Sequence, residues 1–96
     1  MLARTSTWAG SPEALQKWAD HVTSAVAPTV RGLPGVAGAV FLLDRTGQAA
    51  MTLTLWDSEA AAQATDQFAE QSRAATVAAT GTELVARGSY EVVASS

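Results

Sequence analysis

Hydrophobic positions along this chain switch between a two-residue period and one near 3.6, and the switches mark its elements. "LARTSTW", Leu2 to Trp8, mixes threonine with hydrophobic residues and stops at Ala9-Gly10, which predicts a first strand. Ser11-Pro12-Glu13 then reads as a helix start: a capping hydroxyl, a proline where no N–H is needed, and an acid at the positive end of the dipole. At about 100° per residue, Leu15, Trp18, Ala19, Val22, Val26 and Thr29 share one side of this helix, opposite Lys17, Asp20, Ser24 and Arg31. Pro28 removes the bond to the Ser24 carbonyl and is expected to kink or divide the last turns. Gly32 is the expected left-handed cap, with Leu33 making the apolar contact and Pro34 preventing continuation.

"VAGAVFLLD", Val36 to Asp44, and "AAMTLTLWD", Ala49 to Asp57, flank the compact turn "RTGQ" and predict a β-hairpin. Asp57 or Ser58 caps a second helix that runs to about Thr80 and ends at Gly81. "ELVARGSYEVV", Glu83 to Val93, is the last strand, in which Gly88 signals a bulge or a close backbone approach. The order β-α-β-β-α-β, without an internal linker, predicts one domain over residues 1–96. Its fold class is α+β, ferredoxin-like: a four-stranded antiparallel sheet with two helices on one face.

The second strand is apolar on both sides, with Val36, Val40 and Leu42 pointing one way and Ala37, Ala39, Phe41 and Leu43 the other. Two helices cover only one sheet face, so the other is expected to meet a copy of itself, giving a sheet-to-sheet homodimer. The second helix raises a different question. Ala61, Ala64, Phe68, Ser72, Ala75 and Ala79 share its predicted inner side, and Phe68 is the one large group among them. Because interiors are close-packed, either the helix approaches the sheet closely or it borders a ligand cavity.

Composition narrows the partners. The 96 residues carry a net charge of −3 and no basic stripe, which argues against nucleic acid. With no cysteine there is no disulfide, thiolate metal site or cysteine nucleophile, and a lone histidine makes a transition-metal site unfavourable. No run approaches the ~18 apolar residues of a membrane span and no leader pattern opens the chain, so a cytoplasmic location is the expectation. Alanine is roughly a fifth of the chain and arginine outnumbers lysine, a bias associated with GC-rich bacterial genomes.

Few residues carry recognisable chemistry. His21 lies at the edge of the apolar face of the first helix, as a base facing a cavity or as a solvated boundary side chain. Trp8, Trp18 and Trp56 serve as core or as an aromatic lining, and Tyr90 as a hydrogen-bond donor to a ligand or a rim residue. Arg4 and Arg87 are placed on outer or dimer-facing strands, where they would form solvated pairs with Glu83 or Glu91. No catalytic triad, carboxylate pair or phosphate loop is present.

"GSPEAL", "PTVRGLPGVAG", "DRTGQ", "TLWDSEAA" and "YEVV", in that order and spacing, resemble the antibiotic biosynthesis monooxygenase family of dimeric α/β barrels. The resemblance covers nearly the whole chain. It implies the ferredoxin-like dimer and a cavity between helices and sheet in each subunit. Function within such proteins includes cofactor-independent oxygenation of aromatic substrates, haem degradation, isomerisation and cyclisation. The haem-degrading branch uses an asparagine, a tryptophan and a histidine; here there is no asparagine, Thr65 stands near the tryptophan position, and Ala74-Ala75 near that of the histidine. The resemblance thus implies a small monooxygenase-like protein without cofactor or metal, acting on a hydrophobic or aromatic metabolite. Trp18, Trp56, Thr65 and Phe68 are its candidate substrate-binding residues and His21 its candidate base. The alternatives are a non-catalytic ligand-binding dimer of the same fold and a cyclase or isomerase.

Overall fold

A computed structural model describes residues 1–96. Strands β1 (Leu2–Ala9), β2 (Val36–Asp44), β3 (Ala49–Trp56) and β4 (Glu83–Glu91) form one antiparallel sheet in the order β2-β3-β1-β4. Helix α1 (Pro12–His21) continues through a π-helical turn (Val22–Val26) into α2 (Ala27–Arg31), and the second helical segment comprises α3 (Glu59–Ala64) and α4 (Asp66–Thr80). This is the predicted ferredoxin-like arrangement, with the helices on one face of the sheet.

Local signals act where the residues place them. Ser11 Oγ accepts the Ala14 N–H at 3.2 Å ahead of Pro12, and Ser58 Oγ accepts that of Ala61 at 3.1 Å. Gly81 ends α4 in the left-handed conformation, φ 74°. Gly32 does not: its φ is −89°, and the left-handed residue of that loop is Gly35, φ 81°. Gly35 also lies against α3, where only a hydrogen fits beside the Ala61 methyl group.

Pro28 acts upstream of itself. Instead of a kink, the helix widens by one residue, with the Ala27 N–H reaching the Val22 carbonyl. One inserted residue turns every later side chain back by about 100°. Val30, rather than Thr29, therefore faces inward and is 7% exposed, while Val22, Val26 and Val30 keep to one stripe.

Bulges make the same kind of change in the sheet. One at Ala37 moves Val36 to the helix-facing side. In β4 the extra residue is Val85, between Leu84 opposite Trp8 and Ala86 opposite Thr7, and not Gly88. Gly88 instead leaves room for the Tyr90 ring, which lies over it from two residues along the same strand.

The core fills one half of the space between the layers. Trp8, Leu15, Trp18, Val22 and Ala50 form it, and Phe41, Leu43 and Leu84 pack around them. On the opposite face of the sheet Val40 and Leu42 stay about half exposed, at 49% and 51%, so that face is apolar and uncovered in the single chain. No helix is long and apolar enough to cross a membrane.

Candidate functional site

The other half of the interlayer space is a cavity of about 520 Å³ between the sheet, the π turn with α2, and α4. Its apolar wall is the stripe Val22, Val26 and Val30, with Leu33 and Phe41. The strands add Ser6, Trp8, Thr52, Thr54 and Trp56, and α4 with its preceding residue adds Thr65, Phe68, Ser72 and Thr76. Trp56 is held rigidly, since its indole N–H donates to Thr54 Oγ1 at 2.9 Å and that hydroxyl donates to the Arg4 carbonyl at 3.4 Å.

The second helix is interrupted where it borders the cavity. Thr65, at φ −110° and ψ 10°, separates α3 from α4. The Ala62 carbonyl there accepts the Thr65 N–H at 3.2 Å, the Thr65 hydroxyl at 3.0 Å and Arg4 Nη1 at 3.4 Å. Arg4 also forms an ion pair with Asp66 on the first turn of α4. One strand arginine thus pins the break and fixes where α4 begins.

The face that α4 buries differs from the expected one. Ala61, Phe68 and Ser72 are half-buried as expected, but Ala64 at the end of α3 and Ala75 and Ala79 on α4 are exposed, and Thr76 and Thr80 are buried at 3% exposure each. Their hydroxyls donate to carbonyls four residues back, Thr76 to Ser72 at 2.9 Å and Thr80 to Thr76 at 2.7 Å. A buried threonine whose hydroxyl is satisfied within its own helix packs as a small apolar group. Of the α4 alanines only Ala69 lines the cavity, whose α4 side otherwise carries hydroxyls, Phe68 and a charged group.

That group consists of Arg4, Arg73 and Arg87 with Asp66 and Glu70, all lining the cavity. Arg4–Asp66 is the one ion pair within 4 Å. Burial lowers the Arg73 pKa below the ordinary arginine value, and the neighbouring Arg87 lowers it further, with Glu70 acting in the opposite sense. Guanidinium groups nevertheless stay cationic at neutral pH.

Of the five residues singled out from the sequence, Trp56, Thr65 and Phe68 meet in the cavity. Trp18, 1% exposed, lies in the core beside it, and His21 ends α1 outside the lining. Arg4 and Arg87 face the helices, which corrects their expected place among solvated pairs on the outer strands. For Arg4 a signal existed: once Trp8 is taken as core, the two-residue period puts Ser6 and Arg4 on the same face. For Arg87 there was none, because only the extra residue at Val85 brings it to the side of Leu84. No cluster of three or more potential metal ligands is present.

No protein-family model matches this chain, and no curated protein sequence does. Solved structures match it over nearly its full length. A Deinococcus radiodurans protein provisionally named an antibiotic biosynthesis monooxygenase shares 15% identity over 99% of this chain and 95% of its own, with a TM-score of 0.80. The monooxygenase of the gene ActVA-Orf6 from Streptomyces coelicolor, in complex with nanaomycin D, shares 19% over 99% and 91%, at 0.71. SnoaB, a cofactor-independent oxygenase from Streptomyces nogalater, shares 14% over 98% and 94%, at 0.68. At these identities the likeness shows the fold, which is that of antibiotic biosynthesis monooxygenases.

Proposed function

We propose that this protein is a small cofactor-independent monooxygenase-like enzyme acting on a hydrophobic, aromatic metabolite. The cavity carries this reading: its volume of about 520 Å³ suits a small molecule, and its aromatic and aliphatic walls meet polar and charged groups supplied by both the strands and α4. Support also comes from a fold shared with structures named as a monooxygenase and a cofactor-independent oxygenase, the former in complex with nanaomycin D.

Such chemistry needs a substrate that is its own reductant. A deprotonated phenol passes one electron to dioxygen, and the two radicals combine to form a carbon–oxygen bond. Loss of water from the resulting hydroperoxide turns a ring methylene into a carbonyl, so one oxygen atom enters the product and the other leaves in water. The protein binds the substrate, excludes water and accepts a proton. Trp56, Phe41 and Phe68 supply aromatic surface. Glu70, a cavity carboxylate without an ion pair within 4 Å, is assigned proton acceptance ahead of His21, which is not among the lining residues.

The active form is a homodimer joined through the uncovered sheet face, where Val40 and Leu42 lie beside Leu53 and Met51. Light scattering tests this: Leu53→Glu yields monomer if that face is the interface, and a wild-type chain that is monomeric at micromolar concentration overturns it. Activity is tested by oxygen uptake with a 1,8-dihydroxyanthrone probe. One dioxygen consumed per quinone formed, lost in Glu70→Gln and kept in His21→Ala, supports the reading. Stoichiometric binding without oxygen uptake assigns the fold to ligand carriage, and conversion without oxygen to a cyclase or isomerase.

A further inference from the structure

Three of the five arginines line one cavity in a chain whose net charge is −3. Arg4 is matched by Asp66, but neither Arg73 nor Arg87 has a carboxylate within 4 Å. Both border the same space, Arg73 half-buried on α4 and Arg87 exposed on β4. Two like charges brought to one partly desolvated wall repel each other, and an anion placed between them relieves that repulsion. Glu70, also on this wall, does not pair with either within 4 Å.

We infer that Arg73 and Arg87 form an anion subsite that receives a carboxylate carried by the aromatic ligand. The inference rests on the proposed occupancy of the cavity by an aromatic molecule, and it adds the charge of that molecule and its orientation. The planar guanidinium fork matches a carboxylate with two parallel hydrogen bonds, a geometry that a neutral amide cannot reproduce. The aliphatic stripe of Val22, Val26 and Val30 takes the ring end, so the ligand lies with its acid toward α4 and β4.

The test compares anthraquinone-2-carboxylate with anthraquinone-2-carboxamide, read by calorimetry and by quenching of tryptophan fluorescence. The acid is expected to bind at least ~10-fold more tightly than the amide, as for a charge-assisted pair. That preference shrinks in high salt, disappears in Arg73→Gln/Arg87→Gln, and persists in Arg31→Gln, whose side chain is exposed outside the cavity. Arg87→Gln alone alters an exposed strand side chain and carries the same test if the double variant fails to fold. Equal binding of acid and amide, or a preference that survives both substitutions, overturns the anion subsite while leaving the aromatic cavity in place. Failure of both probes to bind overturns the subsite and the proposed occupancy together.

Discussion

Gly35→Ala tests the packing of the loop that closes the cavity beside Leu33. Gly35 holds φ 81°, and a β-carbon there stands 2.5 Å from the Ala61 β-carbon and 3.8 Å from its backbone. The carbonyl of Gly35 also accepts the Asp57 N–H at 2.8 Å, so the loop cannot swing aside without breaking a bond at the entry to α3. A left-handed conformation costs an alanine about 1–2 kcal/mol. Overpacking adds about 1–3 kcal/mol, because the neighbouring methyl belongs to a helix and cannot rotate away. The sum lowers Tm by roughly 10 °C or more, at about 4–8 °C per kcal/mol for a domain of this size. Gly81→Ala is the matched control: its φ is 74°, and a β-carbon there meets nothing within 4 Å, so it bears the conformational cost alone. Urea unfolding of both variants isolates the steric part, and Gly35→Ala/Ala61→Gly should recover most of it. If Gly35→Ala proves no more destabilising than Gly81→Ala, the close approach of loop and helix is wrong.

Three other substitutions probe the core and the charged wall. Trp18→Ala is expected to lose about 3–5 kcal/mol in denaturant unfolding, whereas Trp18→Phe loses much less, since it keeps most of the ring volume and removes an indole N–H buried without a partner. Arg73→Met should leave stability equal or raise it by less than about 1 kcal/mol, because solvent screens the partly exposed charge, while carboxylate binding is lost. The sign follows from linkage: the depressed folded pKa disfavours the protonated form, so the penalty is fully present below that pKa and fades only as pH rises into the alkaline arginine range. Arg73 therefore adds no slope between pH 5 and 9, and a melting series in which Arg73→Met changed the slope there would contradict this. Asp66→Asn should cost under about 1 kcal/mol, since the Arg4–Asp66 pair is 28% and 56% exposed, and 1 M salt should remove most of the difference.

Interactions between residues close in the chain were legible in the sequence. Ser11-Pro12, Ser58 and Gly81 bound their helices because a cap needs only residues one to three positions away. The apolar run of β2, the alternation of β3 and the order of the elements were enough for the ferredoxin-like sheet, and Trp56, Thr65 and Phe68, singled out from the sequence, line one cavity. Arg4 apart, the inward-facing set was not legible, because three one-residue irregularities decide which side chains face inward. The π turn rotates Val30 in and Thr29 out, the extra residue at Val85 turns Arg87 toward the helices, and the interruption at Thr65, pinned by Arg4, precedes the helix that exposes Ala75 and Ala79 and buries Thr76 and Thr80. The break at Thr65 is held by a strand residue distant in sequence, and in every case a single residue of phase is the difference between a side chain in solvent and one in the site.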